Sequence, residues 1–167
     1  AAEKAWFDLG QRHDLCVQSF RLAGIYGPGR NALETVRSGR ARRVVKPGQV
    51  FSRIHVEDIA QTVLASIKRP NAGAAYNVCD DDAAPPQDVI AYACGLLGMD
   101  PPPEEDFKTA YLSPMAPSFY EDNKRVANDR IKAELVVKLR FPDYKAGLLA
   151  LHDEILAKIN GGGTHAL

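Results

Sequence analysis

The chain has 167 residues, 46% of them hydrophobic and 25% charged, a mix that suits a soluble globular protein with one core or two small ones. Its 21 basic and 21 acidic side chains cancel, which argues against nucleic acid or an anionic membrane as the main partner and leaves room only for a local basic site. No run approaches the roughly 18 apolar residues of a membrane span. Glu3, Lys4 and Asp8 interrupt the apolar core that a signal peptide needs, and the widely spaced Cys16, Cys79 and Cys94 form no C-x-x-C pair, so a reduced, cytoplasmic setting is expected.

Residues 1–12 read as a helix, with Ala5, Trp6 and Leu9 on one face and Gly10 near its end. No capping residue precedes it, so it reads as the second half of a longer helix. Leu15 to Phe20 is a short apolar run, read as a strand that ends at Leu22. Gly24, Gly27, Pro28 and Gly29 then break regular structure, and the chain crosses a tight loop near Arg21 and Arg30 into a short helix over 32–39. In open α/β sheets ligands bind at such strand ends. Ala41–Val45 and Gln49–Ile54 read as two short strands about a Lys46-Pro47-Gly48 turn.

Val56, Ile59, Ala60, Val63, Leu64 and Ile67 fall on one face of the next helix, with Glu57 and Asp58 in its first turn. Ala75–Val78 reads as a strand, and Pro85-Pro86 opens a helix whose buried stripe is Val89, Ile90, Ala93, Leu96 and Leu97. Residues 98–105 carry three prolines and three acids and read as a loop, and 106–122 as irregular. Ile131–Leu135 reads as a short helix and Val137–Phe141 as an extended piece. In the final helix, Lys145–Ile159, the residues Leu148, Leu151, His152, Ile155 and Ile159 face inward. A tail expected to be disordered begins at Gly161. Strands alternating with helices in the first half predict an α/β fold with parallel strands.

Five blocks carry a resemblance. They are Arg21–Asn31, Phe51–Ala60, Tyr76–Asp81, Asn123–Asn128 and Phe141–Leu148, in that order. Together they resemble the C-terminal half of extended and atypical short-chain dehydrogenase/reductases, the group that contains the NAD-dependent epimerases and dehydratases. The resemblance implies the C-terminal part of a Rossmann-like parallel sheet plus a small, mostly helical substrate-side lobe. Residues 1–98 would belong to the NAD(P)-binding domain with interleaved substrate-lobe segments, 99–160 mainly to the substrate-side lobe, and 161–167 to the tail.

A dinucleotide site needs a Gly-rich turn between a strand and a helix, and Gly24, Gly27 and Gly29 have the wrong spacing and place for it. The family's Tyr-x-x-x-Lys would fall before Ala1, so no catalytic residue is assigned here. The expectation is a fragment, inactive alone and binding no cofactor by itself, whose parent binds NAD or NADP. Its open sheet edge predicts a homodimer or association with the missing N-terminal half. The alternative is a non-catalytic module of the same fold that senses cofactor or binds proteins.

By the resemblance, Leu22, Ala23, Gly24 and Ile25 lie beside the nicotinamide; read alone, they only end a strand. Substrate candidates are Tyr26, Arg30, Asn31 and Arg53. Arg30 has the fork that matches carboxylate and phosphate. Asn31 either holds substrate or caps the helix after it, and Tyr26 either packs against the loop or lines the pocket. Arg53 stands two residues beyond Phe51, where similar nucleotide-sugar enzymes carry a diphosphate-gripping Arg, and shares its strand face. Gly24 replaces an Asn that contacts the sugar in many epimerases. These departures point to a small polar or anionic substrate rather than a nucleotide sugar.

His55 is read as a structural residue opening a helix, against a base, and Asp58 as a cap or ion-pair partner. Asp80-Asp81-Asp82 reads as solvated rather than as a metal site, since no calcium-loop continuation follows. Arg37, Arg40, Arg42 and Arg43 read as a solvated patch, against a phosphate contact. Pro101-Pro102-Pro103 reads as a spacer, and Lys124 and Arg125 as residues facing the cleft.

Overall fold

The computed structural model describes residues 2–111, 120, 123 and 125–161. The segment 112–119, Lys124 and the tail 162–167 lie outside the described residues. Helix α1 (Ala2–Arg12) leads into β1 (Ser19–Leu22) and β2 (Gly24–Tyr26), then α2 (Ala32–Arg37), β3 (Arg43–Val45), β4 (Arg53–His55), α3 (Val56–Lys68) and β5 (Ala75–Val78). Helix α4 (Pro86–Leu96), β6 (Glu104–Asp106), α5 (Asp129–Ala133) and α6 (Tyr144–Gly161) complete the order. The last helix thus runs through Gly161, the residue at which the tail is expected to start.

Among the described residues the three strand pairs are parallel, as expected. β1 pairs with β5 from Ser19↔Ala75 to Leu22↔Val78, β2 with β4 from Gly24↔Arg53 to Tyr26↔His55, and β3 with β6 from Arg43↔Glu104 to Val45↔Asp106. The chain changes neighbours at Ala23. Ala23 donates its N–H to Val78 O at 3.1 Å, and Gly24 donates its own to Ser52 O at 3.2 Å. Successive N–H groups of an extended chain point to opposite edges, so β5 lies on one edge of the segment and β4 on the other.

The loop therefore starts at Gly27 rather than at Gly24. Gly24–Tyr26 stays extended because β4 supplies ladder partners. At Gly27 a Cβ would meet Val56 Cγ1 at 2.6 Å, so glycine lets the turn pass against the start of α3.

Two cores result. Tyr26, Leu33, Val36, Val89, Ala93, Leu148 and Leu151 join β2, α2, α4 and α6. Ile54, Tyr76, Val78, Ile131 and Leu135 join β4, β5 and α5, with Phe20, Ile59 and Ala65 packed against them. In α6, Leu148 and Leu151 are buried as expected, whereas Ile159 is exposed.

Helix α3 forms where expected, but turned. Its buried residues are Asp58, Thr62 and Ser66, while Val56, Val63, Leu64 and Ile67 are exposed. The inward polar face is satisfied. The Asp58 carboxylate accepts from Arg140 N at 2.8 Å, from Phe141 N at 3.0 Å and from the Gln61 amide. Thr62 donates to Asp58 O at 2.6 Å. Asp58 thus ties α3 to the chain ahead of α6 through backbone donors, where a cap or an ion pair was expected.

Strand β6 takes the last two residues of the loop expected over 98–105, while 98–103 form neither helix nor strand. Glu104 and Glu105 are charge partners of the chain that carries β3: Arg43 reaches Glu104 at 2.6 Å, and Arg42 forms an ion pair with Glu105. Two members of the expected solvated patch are therefore neutralised. At the other end, the Glu3 carboxylate receives Arg21 at 2.5 Å and Ser19 at 2.7 Å, fastening α1 to β1. Those two hydrogen bonds, Arg21 first, hold Glu3 down at about 2. Among the described residues, no helix is long and apolar enough to cross a membrane.

Candidate functional site

A cavity of about 880 Å³ opens where β1 passes into β2. One wall is Leu22–Tyr26, the second is Phe51–Arg53, and the third is Asn123, Arg125, Val126 and Tyr120. The third wall is latched by hydrogen bonds. Asn123 accepts from Val50 N at 2.9 Å and donates to Gly48 O at 2.9 Å, and Val126 N donates to Ser52 Oγ at 3.0 Å. The Asn128 amide then donates to Cys79 O at 2.8 Å. Sequence reasoning marked this block only through the resemblance. Its signal is two Asn flanking a basic pair, which gives no hint of which backbone groups they bind.

Six of the eight expected site residues meet at this cavity: Leu22, Ala23, Gly24, Ile25, Tyr26 and Arg53. Arg30 and Asn31 are not among its lining residues. Arg30 lies in a turn closed by reciprocal bonds with Gly27, at 3.0 and 3.1 Å, and its side chain is exposed. Asn31 caps α2. Its Oδ1 accepts from Glu34 N at 3.0 Å and its Nδ2 donates to Gly27 O at 2.9 Å, so both polar atoms are engaged locally. Arg125, expected at the cleft, lines it.

Arg53, with Arg125, is one of two charged groups among the cleft's described lining residues. Its Nη1 donates to Phe51 O at 2.8 Å and to Ala84 O at 3.0 Å, and among the described residues it has no ion-pair partner. A guanidinium held by neutral carbonyls keeps its charge for a ligand. Arg53 and Tyr26 also line a second cavity of about 330 Å³, toward α2, α4 and α6. Tyr26 is buried, its phenol donates to Asp143 O at 3.4 Å, and its ring meets His55 edge-on at 5.1 Å. Burial, with Asp80 nearby, pushes its pKa well above the ordinary tyrosine value, so it keeps its proton.

His55 is the N-cap of α3. Its Nδ1 accepts from Glu57 N at 3.3 Å, and its ring packs 4.1 Å from Phe141. Burial pushes its pKa down, which favours the neutral ring that can accept at Nδ1. The structural reading of His55 holds.

Asp80 is the group that sequence reasoning missed. It is 3% exposed; its Oδ1 accepts from Arg53 N at 3.5 Å, and its Oδ2 is buried with no hydrogen-bond partner. Burial raises its pKa to about 7, against the backbone bond and charge of Arg53 and with Asp82 raising it further. Nothing in a run of three aspartates says which one is buried. The neighbouring Asp81 instead faces Lys132 at 2.5 Å.

A carboxyl whose folded pKa lies above its ordinary 3.8 holds a proton that the unfolded chain has lost. The contribution of Asp80 to stability therefore falls as pH rises from about 4 to about 7 and is flat above that. We expect Asp80→Asn to flatten this slope and to gain roughly 2–3 kcal/mol over the parent chain at pH 8, with little difference at pH 4. Urea denaturation across that range checks it; parallel pH profiles for the two proteins would contradict it.

Solved proteins share this fold. A conserved protein of unknown function from Silicibacter pomeroyi is 57% identical, with a TM-score of 0.85 over 92% of this chain and 53% of that one. The dTDP-glucose 4,6-dehydratase of Bacillus anthracis, solved with NAD, superposes with a TM-score of 0.71 at 15% identity, over 97% of this chain and 51% of that one. RMD from Pseudomonas aeruginosa, solved with NADPH, gives 0.69 at 19% identity, over 92% and 52%. The fold is the C-terminal portion of a Rossmann-like domain. The chain spans about half the length of the solved structures it matches. No family model and no curated protein matches it.

Proposed function

We propose that this chain is the substrate-side half of an NAD(P)-dependent oxidoreductase of the epimerase/dehydratase type. It would form one side of the nicotinamide pocket and hold a small polar or anionic substrate against Arg53. The observation that carries this reading is the convergence, in one cavity, of the strand end Leu22–Ile25 with an Arg53 guanidinium that has no ion-pair partner among the described residues. The shared fold of structures solved with NAD and NADPH supports it.

The strand end fits a nicotinamide ring. Leu22 and Ile25 expose apolar surface, and Gly24 is exposed with no side chain to hold a ring away from the backbone. When bound, the cofactor would supply hydride exchange with the substrate. The chain's own residues orient and exclude. Arg53, fixed by two carbonyl oxygens, would bind the substrate anion, and Tyr26 walls the cleft as a neutral phenol. The pyrophosphate turn and the acid/base of such an enzyme would come from the half that this chain does not span, so the chain alone would bind no dinucleotide and turn nothing over.

Arg53→Met tests the anion assignment. With pyrophosphate and succinate as probes in calorimetric titrations, we expect affinity to fall roughly 10- to 100-fold, with Arg53→Lys in between because a point charge replaces a fork. Unchanged affinity for both anions, with unchanged circular dichroism, would remove Arg53 from the site.

A further inference from the structure

Arg53 is held from both ends of one short loop. At the start of the loop, Asp80 N donates to Arg53 O at 2.7 Å, and Asp80 Oδ1 accepts from Arg53 N at 3.5 Å. At its end, Ala84 exchanges backbone hydrogen bonds with Phe51 at 3.1 and 3.2 Å, and Ala84 O receives the Arg53 guanidinium at 3.0 Å. Asn128 pins the back of the loop, donating to Cys79 O at 2.8 Å and to Asp80 O at 3.2 Å. Arg53 lines both cavities described above, and Asp80 lines neither. The Asp80 carboxyl is thus walled off from a ligand in either cavity, and its reach to the cleft runs through Arg53.

A carboxyl in that place is costly. Its Oδ2 is buried with no hydrogen-bond partner, which lowers stability, and groups held at such cost concentrate beside functional sites. Burial also disfavours the Arg53 charge, and Asp80 is the first of the charges that offset it. Few other groups enter the exchange. Asp82, on the same loop, opposes ionisation of Asp80. Asp81 is turned away, to Lys132 of α5. The Tyr26 phenol of β2, the Cys79 thiol at the end of β5 and the Tyr144 phenol of α6 are all raised by burial and stay neutral near pH 7. His55, edge-on to Tyr26, is pushed down by burial and is neutral there too.

We infer that Asp80 is a positioning residue that sets the anion affinity of Arg53: with its proton on, it leaves the guanidinium charge to the substrate, and ionised, it competes with the substrate for that charge. The inference rests on the reading of Arg53 as the anion holder and adds a control to it. Asp80 changes charge at about 7, so affinity is high below that pH and falls above it. By linkage, a bound anion must in turn hold the Asp80 proton on more tightly.

Sulfate is the probe, because its charge does not change between pH 6 and pH 8.5. In calorimetric titrations of the chain we expect its affinity to fall about five- to tenfold across that range. Asp80→Asn keeps an acceptor for Arg53 N but cannot ionise, so it should hold the pH 6 affinity throughout. Carbon-13 NMR of the Asp80 carboxyl reads the same coupling without a variant: its titration midpoint should rise when sulfate saturates the site. A flat profile for the parent chain, an equal fall in Asp80→Asn, or a midpoint that sulfate does not move would each overturn the inference. Arg53→Met separates the two readings. If it abolishes sulfate binding, Arg53 stands as the anion holder whatever Asp80 does; if it binds sulfate as tightly as the parent chain, both readings fall.

Discussion

Asp58→Ala is expected to lower the unfolding free energy by about 3–5 kcal/mol. The carboxylate is fully buried and accepts from two backbone N–H groups, Arg140 and Phe141, at 2.8 and 3.0 Å. Its removal takes away these two charge-assisted bonds and the one from the Gln61 amide. It also leaves the Phe141 donor buried without an acceptor, in a segment that the rest of the fold holds fixed. The Arg140–Glu57 ion pair lies at the exposed end of the same contact and adds little. Asp58→Asn keeps one acceptor oxygen but sets its NH2 donor against the second backbone N–H, so it should recover only part of the loss. Urea unfolding of both variants checks this. A loss under 1 kcal/mol for Asp58→Ala would mean that Asp58 does not hold the chain ahead of α6 to α3.

Gly147→Ala, in the first turns of α6, is the second large effect. An added Cβ would lie 2.0 Å from Tyr26 Oη and 2.7 Å from two of its ring carbons. Tyr26 is buried between His55 and the core of α2, α4 and α6, so the ring has little room to yield. We expect a loss of about 2–4 kcal/mol. The ring's escape would move it into the cleft that it lines, so ligand affinity at Arg53 should fall as well. Tyr26→Leu removes the clashing atoms. Added to Gly147→Ala, it should recover most of the lost stability beyond its own cost, a non-additivity that a double-mutant cycle reads directly. Simple additivity would show that Tyr26 and Gly147 are not in contact.

Much of the local structure was legible because the deciding forces are local. The Ala75–Val78 strand has the expected bounds, and α4 starts at Pro86, where a missing N–H does no harm. Asn31 was readable as a cap because capping needs only its own helix start. The face of α3 was not readable. Periodicity finds the apolar stripe but cannot say whether this stretch of chain supplies what covers it. Here the buried side was chosen by Asp58 reaching backbone donors 82 and 83 residues away.

β6 was hidden for a related reason. A strand reading Glu-Glu-Asp has no apolar signal, and only its pairing with β3, alongside the ion pairs of Arg42 and Arg43, makes it a strand. The cleft was partly legible. Leu22–Ile25, Tyr26 and Arg53 could be placed together through the resemblance, since they sit on neighbouring strand ends. Arg30 turned outward because the Gly27–Arg30 turn closes on itself, a matter of backbone geometry that the composition of the loop does not state. Asp80 was invisible among three aspartates, because its burial depends on where β5 ends beside Arg53.

The central claim is that Leu22–Ile25 forms one side of a nicotinamide pocket. The most direct measurement is amide-resolved NMR of the labelled chain, assembled with its complementary half, as NADH and then NADPH are added. One of the two nucleotides is expected to shift the Leu22, Ala23, Gly24 and Ile25 amides, with Arg53 alongside, and to leave the Arg30 and Asn31 amides unmoved. Saturable binding that leaves Leu22–Ile25 unshifted, or an assembled protein that binds neither nucleotide, would contradict the central claim.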